Sequence, residues 1–157
     1  MRRLTATIAL LTLSLALLAP GAWREINVYD EGVAVYGAER VASGEVPYRD
    51  FWTIYAPGDL YLIAGLFKIF GPRLVVERHA WLLLEGILAV LVYALARRAG
   101  ANAMWAAIAW AVMILWTRLL PMFAAPGIPA LVCLAGALLL VLQNRSLSLV
   151  GVLSRRK

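Results

Sequence analysis

Residues 29–58 read YDEGVAVYGAERVASGEVPYRDFWTIYAPG, and this polar stretch decides how the rest of the chain folds. The segments on either side of it are mostly apolar, whereas this one concentrates charged and aromatic side chains. Because charged side chains are costly in hydrocarbon, we expect the stretch to form a loop outside the apolar segments. Its acidic residues, which are five of the nine in the chain, are Asp30, Glu31, Glu39, Glu45 and Asp50.

The overall composition predicts an integral membrane protein. Of the 157 residues, 63% are hydrophobic and the mean hydropathy is +0.80, whereas soluble domains are only about half apolar. The net charge of +6 does not indicate nucleic-acid binding, because the basic residues flank apolar runs, as topology signals do. We therefore expect the membrane as a partner and no nucleic acid. The single cysteine, Cys133, can form no disulfide within the chain.

The apolar runs predict an all-α fold with about four transmembrane helices, since a span needs about 20 apolar residues. The first run is interpreted as an uncleaved helix, because Pro20 fits poorly with a signal-peptidase site. The alternative is a cleaved signal peptide, since two arginines precede the apolar run. Residues 1–145 then form the transmembrane domain, and 146–157 form a basic cytoplasmic tail or the start of a truncated further span. The predicted spans are 4–22, 79–96, 102–120 and 128–143.

The distribution of arginines and lysines predicts the orientation. With four spans, the N-terminus and the Arg97–Arg98 pair lie on the cytoplasmic side with no acidic residue, and the loop 23–78 lies outside. The apolar run 58–70 is too short to cross, so we predict a helix at the membrane surface. The alternative, in which 58–70 crosses, would place Arg97 and Arg98 outside.

Within the loop we predict a second surface helix over 31–43. Asp30 is a suitable N-cap and Gly44 a suitable terminator. Val35, Ala38 and Ala42 fall on one face, which is the pattern of an amphipathic helix lying on a membrane.

The loop also holds the residue types that chemistry on a lipid-linked substrate would need. The adjacent carboxylates Asp30 and Glu31 could act as a general base, and they are also compatible with a divalent metal, although no cofactor is specified. Arginines could hold a lipid phosphate, and aromatic rings could stack on a sugar. The alternative is structural: Asp30 only caps a helix, the arginines meet membrane phosphates, and the aromatics form an interfacial belt. The candidate binding residues are Arg40, Arg49, Trp52, Tyr55 and Arg73, with Arg78 a further candidate for the phosphate.

Glu85 is a separate candidate, because it lies inside the predicted second span. An ionisable residue within a membrane is costly and is therefore a functional hypothesis in its own right. The alternative is a protonated or helix-facing carboxyl near the interface.

The order of these motifs resembles the N-terminal part of GT-C-type membrane glycosyltransferases, the group related to protein mannosyltransferases and aminoarabinose transferases. The motifs are DEG after the first span, GAERVASGEVPYRDFWTIYAPGDLYLIAGLFKIFG, ERHAWLLL and ARRAG, and the resemblance covers about residues 5–143. It implies a polyprenyl-phosphate-linked sugar as donor and an acceptor hydroxyl on the extracytoplasmic side of a bacterial or archaeal cell membrane. Asp30 matches the acidic residue essential for transfer, with Glu31 as its neighbour.

The sequence departs from that family in two respects. Tyr55-Ala56-Pro57 stands where aminoarabinose transferases have a Lys-Pro motif, so the phosphate-binding residue is unassigned. Family members are also much longer, so we expect a fragment that needs further helices, supplied by a longer chain or a partner protein. The alternative function is a non-catalytic small membrane protein that binds lipid-linked sugar or a partner membrane protein.

Overall fold

The computed structural model describes the backbone of residues 2–25, 27–120 and 125–154, and the side chains of the same segments from 4 to 143. Over these residues the chain is helical, with no β-strand and one isolated bridge between Pro47 and Phe51. The α-helices over these residues are α1 (Arg2–Leu18), α2 (Val33–Ala42), α3 (Pro57–Phe70), α4 (Leu74–Arg98), α5 (Ala103–Leu119) and α6 (Gly127–Ser154).

Two helical segments are long and apolar enough to cross a membrane by length and composition. One is Leu4–Trp23, in which α1 continues into a 3₁₀ turn, and the other is the 25-residue α4. The apolar parts of the last two helices, Ala103–Leu119 and Gly127–Gln143, are shorter. They lie close to the lower limit of about 17 residues for a transmembrane helix.

Two helices extend beyond the predicted apolar runs. Helix α4 begins at Leu74, before the predicted start of the span at 79, and it therefore includes Arg78, which is paired with Glu31. Helix α6 continues past Gln143 to Ser154, so most of the predicted tail is helical, while 155–157 lies outside the described residues. A polar run can end a hydrophobic segment without ending a helix, since Gln, Arg and Ser are tolerated in helices.

The predicted N-cap at Asp30 is wrong. The chain enters its helical turn earlier, through a π-helical turn at Val28–Gly32 that leads into α2. The Asn27 side chain is the cap, because its oxygen accepts hydrogen bonds from the backbone N–H groups of Tyr29 and Asp30, both at 3.2 Å. Asn caps helices as well as Asp does, so the Asp30 carboxylate is left for other contacts.

The loop helices pack on each other and on the bundle. The face of α2 that was predicted to meet the membrane is covered instead by α3, with Ala38 fully buried. A Cβ added to Gly37 would lie 3.2 Å from Leu60 Cδ2, so the two helices approach closely. Trp81 of α4 and Ile128 of α6 belong to the same buried cluster. The loop is therefore a folded layer over one end of the helices.

Candidate functional site

A buried ion pair anchors the start of the loop. Arg78 donates from Nε to Glu31 Oε1 at 2.5 Å and from Nη2 to Glu31 Oε2 at 2.8 Å, and both side chains are buried. Arg78 Nη1 also donates to the carbonyl oxygens of Ala22 and Arg24, at 2.8 and 2.7 Å. Such a bidentate pair is strong and geometrically specific. It fixes the end of the first helical segment, the loop and α4 together, and it occupies both oxygens of Glu31.

Asp30 points away from this pair and is exposed. Its Oδ2 accepts a hydrogen bond from Asn27 Nδ2 at 2.7 Å, and its Oδ1 accepts one from the Tyr55 hydroxyl at 3.0 Å. Burial, and then the hydrogen bond to Asp30, raise the pKa of Tyr55 to about 12, so the phenol remains a donor at neutral pH. Of the two predicted catalytic carboxylates, Asp30 is the one that a substrate can reach.

Arg40 and Arg49 are both occupied by carboxylates of the loop. Arg40 donates from Nε to Glu45 at 2.7 Å and lies 4.5 Å above the Phe51 ring. Arg49 donates to both oxygens of Asp50, at 3.0 and 2.8 Å. The hydrogen bonds raise the pKa of each arginine, and the Arg49 contact lowers the pKa of Asp50 to about 2. These two predicted phosphate ligands therefore make contacts within the loop itself.

Arg73 differs from the other candidate arginines, because its guanidinium has no hydrogen-bond or ion-pair partner among the described residues. It lines a groove of about 620 Å³ between α3 and α4. His79 is the other polar side chain there, and its Nδ1 lies 2.7 Å from the Val75 carbonyl oxygen, so this nitrogen carries a proton. The apolar wall includes Leu66, Phe70, Val76, Ala80 and Leu83.

Asp59 is a buried carboxyl that the sequence analysis did not select as a candidate. It is only 5% exposed, and neither of its oxygens has a hydrogen-bond partner among the described residues. Burial raises the pKa of Asp59 to about 7. The negative charge of Asp59 is also one of the smaller causes that raise the pKa of Tyr55. The available signal was an acid in the first turn of an otherwise apolar helix, directly after Pro57 and Gly58.

Trp52 and Glu85 are the remaining candidates. Trp52 is 79% exposed, so its ring is open to a ligand. Glu85 is buried, and its Oε1 has no partner among the described residues. It lines a space of about 10 Å³ together with Thr117 and Arg118, which is just enough for one water.

The described side chains include no group of three or more His, Cys, Asp or Glu residues that could hold a metal ion. Asp30 and Glu31 do not converge, since Glu31 is directed into its pair with Arg78. The adjacent carboxylates therefore do not form the shared metal site that their sequence positions suggested.

Comparisons with protein-family models, curated proteins and solved structures find no match to this chain. The resemblance to GT-C-type glycosyltransferases consequently rests on the sequence motifs alone.

Proposed function

We propose that the chain is an integral membrane protein with the loop 23–78 on the extracytoplasmic side. Two segments have the length and composition of spans. Large apolar side chains are exposed along α5 and α6, where a soluble protein would present polar ones. These exposed residues include Trp105, Ile108, Val112 and Leu115 on α5, and Leu134, Leu138 and Val141 on α6.

We propose further that the loop transfers a sugar from a polyprenyl-phosphate donor to an acceptor hydroxyl. The observation that carries this proposal is the exposed Asp30 carboxylate, held from two sides by Asn27 and Tyr55 and anchored next to the buried Glu31–Arg78 pair. A general base must be held in place and remain accessible. Asp30 meets both conditions, whereas Glu31 meets only the first.

The chemistry is a displacement at the anomeric carbon. The acceptor oxygen forms a bond to that carbon while its proton passes to the Asp30 carboxylate. The bond between the anomeric carbon and the phosphate oxygen breaks, and polyprenyl phosphate leaves with the electron pair and one additional negative charge. Asp30 then returns its proton to water.

The groove between α3 and α4 suits the donor lipid. A cation within reach of the leaving phosphate would stabilise the charge that develops on it. Arg73 is the predicted phosphate ligand that the loop leaves without a carboxylate partner, and it stands at a groove with apolar walls. Arg78, which binds Glu31, is followed directly by His79, which lines the groove. The ion pair beside Asp30 and the groove therefore both depend on this part of α4.

The second candidate is a non-catalytic module that binds lipid-linked sugar. Both oxygens of Asp30 already accept hydrogen bonds, which also suits a fixed binding surface. The two functions differ in turnover. If the chain only binds the donor, Asp30→Asn should leave donor retention nearly unchanged and there is no turnover to lose. If the chain transfers the sugar, Asp30→Asn should abolish turnover while the donor is still retained.

The test is a transfer assay in membranes with a panel of radiolabelled polyprenyl-phosphate sugars. Asp30→Asn should reduce turnover about 10²–10⁴-fold, the usual size of general-base catalysis. Glu39→Gln is the matched control, since Glu39 is an exposed carboxylate on α2. Arg73→Gln should weaken donor binding, with the exposed Lys68→Gln on α3 as its control. Turnover that survives Asp30→Asn would refute the base assignment, and donor binding without turnover would favour the second candidate.

A further inference from the structure

A second cavity of about 620 Å³ lies between α1, α4 and α6, at the end of α4 far from the loop. Arg97 and Arg98 of α4 line it together with Tyr93, and Gln143 of α6 and Thr7 of α1 complete its polar rim. Neither the proposed transfer reaction nor the family resemblance assigns a role to this space.

The cavity has a polar end and an apolar end. Val90 lies seven residues before Arg97, which is about 10 Å along a helix axis, and Leu10 and Leu139 are further apolar residues of the lining. Long cationic side chains at a helix end reach the headgroup region while the wall above them remains in hydrocarbon. The shape of the cavity thus matches a molecule with a charged head and an apolar tail.

The charge at this end is not neutralised by the chain. The sequence has no Asp or Glu before Glu25 or after Glu85, so no acidic side chain belongs to this end of the helices. Arg97 donates to the carbonyl oxygen of Ala101 at 2.8 Å, and Arg98 has no hydrogen-bond or ion-pair partner among the described residues. Two arginines in a concave site are therefore available to an anion from outside the chain.

We propose that this cavity binds the phosphate headgroup of an anionic phospholipid, with its acyl chain along the wall formed by Leu10, Val90 and Leu139. Basic pockets between transmembrane helices on the cytoplasmic side are a recognised kind of lipid site. The inference rests on the membrane embedding proposed above, but not on sugar transfer. An anionic lipid here would tie α1 and α6 to the end of α4.

The experiment is a titration of the purified full chain, in neutral detergent micelles, with phosphatidylglycerol, with phosphatidylcholine and with inorganic phosphate, followed by native mass spectrometry. We expect phosphatidylglycerol to be retained in preference to phosphatidylcholine. The double change Arg97→Gln and Arg98→Gln should weaken its retention at least tenfold. Arg97→Lys with Arg98→Lys keeps the charge and should weaken it less.

A second variant keeps both arginines and fills the cavity. Leu139→Trp should also weaken phosphatidylglycerol retention at least tenfold, while Leu138→Trp, at an exposed position on the same helix, should not. Circular dichroism of each variant checks that the helices are intact. Retention that survives Leu139→Trp, or equal retention of both phospholipids, would overturn the proposal. Inorganic phosphate that displaces the lipid at equal concentration would show a simple anion site and would overturn it too.

The two proposals can fail separately. Asp30→Asn should leave phosphatidylglycerol retention unchanged, because Asp30 lies in the loop at the other end of the molecule. A chain without transfer activity that still retains phosphatidylglycerol would refute the enzymatic proposal alone. A chain that transfers sugar but does not distinguish the phospholipids would refute the cavity proposal alone.

Discussion

The two ends of α4 differ in how their arginines are neutralised. At the loop end, Arg78 is paired inside the protein with Glu31, and Arg40 and Arg49 are paired with carboxylates of the loop. At the other end, Arg97 and Arg98 have no acidic side chain to meet. The Arg78–Glu31 pair holds parts of the protein together, whereas Arg97 and Arg98 are available to an anion from outside the chain. Among the predicted phosphate ligands of the loop, Arg73 has no carboxylate partner in the described residues, and it is therefore the arginine proposed to meet the donor phosphate.

The largest effect should come from breaking the internal pair. Arg78→Met leaves the Glu31 carboxylate buried without a cation, and it removes the hydrogen bonds to Ala22 and Arg24. Removing one partner of a buried pair typically destabilises a protein by about 3–5 kcal/mol. Thermal unfolding in detergent, followed by circular dichroism, measures the loss.

Two further variants sharpen this prediction. Arg78→Met combined with Glu31→Leu should be more stable than Arg78→Met alone, because no charge is then left buried. Arg49→Met removes an arginine from an exposed pair and should not be distinguishable from the unaltered protein. If the double variant were no more stable than Arg78→Met alone, the buried charge of Glu31 would not be the cause of the loss.

The loop layer also contains a buried carboxyl, Asp59, which has no cation beside it among the described residues, in contrast to Glu31. Burial raises the pKa of Asp59 from 3.8 to about 7, so the folded state favours the protonated form. The unfolded chain releases this proton near pH 4 and the folded chain near pH 7. Stability is therefore lost as the pH rises from about 4 to about 7, by about 4 kcal/mol at most.

Asp59→Asn should remove this part of the pH dependence and leave the protein more stable than the unaltered chain at pH 8. Unfolding measured from pH 4 to pH 8 for both proteins gives the difference directly. Asp50, whose pKa is lowered to about 2, changes charge below this window and does not interfere. Parallel curves for the two proteins would mean that Asp59 has a partner or reaches water.

A smaller effect tests how closely the loop layer is packed. Gly37→Val places side-chain atoms where Leu60 already approaches within 3.2 Å of a single added Cβ. Overpacking of this kind typically destabilises by about 1–3 kcal/mol. Gly58→Val at the start of α3 is the control, since an added Cβ there meets nothing within 4 Å. Equal stability of the two variants would show that α2 and α3 can separate without loss.

Local signals in the sequence predicted much of the fold. Pro57 and Gly71 bound α3 close to the predicted limits of 58 and 70, since proline fits the first turn of a helix and a positive φ, here 86°, favours glycine after its end. Gly44, with φ of 100°, follows the end of α2 for the same reason. The pairings Arg40–Glu45 and Arg49–Asp50 join residues close in sequence, so their spacing could have indicated that these arginines are occupied.

Long-range contacts could not be predicted in this way. Glu31 and Arg78 are 47 residues apart, and no periodicity or cap rule relates them. Without that pair, Asp30 and Glu31 look equivalent, and four arginines remain equal candidates for the phosphate. The Asn27 cap was missed for a different reason: Asn27 and Asp30 are both good caps, and only tertiary contacts decide which one is used.

The smallest expected loss of stability comes from removing either of two asparagine caps, which lie at the two ends of the molecule. Asn27 caps the turn before α2 and also donates to Asp30, whereas Asn102 caps α5 by accepting from the Trp105 N–H at 3.0 Å. Changing either to alanine should reduce stability by about 1 kcal/mol, the usual loss for a cap.

Activity should separate the two variants. Asn27→Ala releases one side of the Asp30 carboxylate and should reduce kcat in the transfer assay, because a base that is free to rotate spends less time in its reactive position. Asn102→Ala should lose the same stability and keep its kcat. If both variants lost only stability, the Asn27–Asp30 contact would be structural, and the loop would satisfy its own polar groups without preparing Asp30 for a substrate.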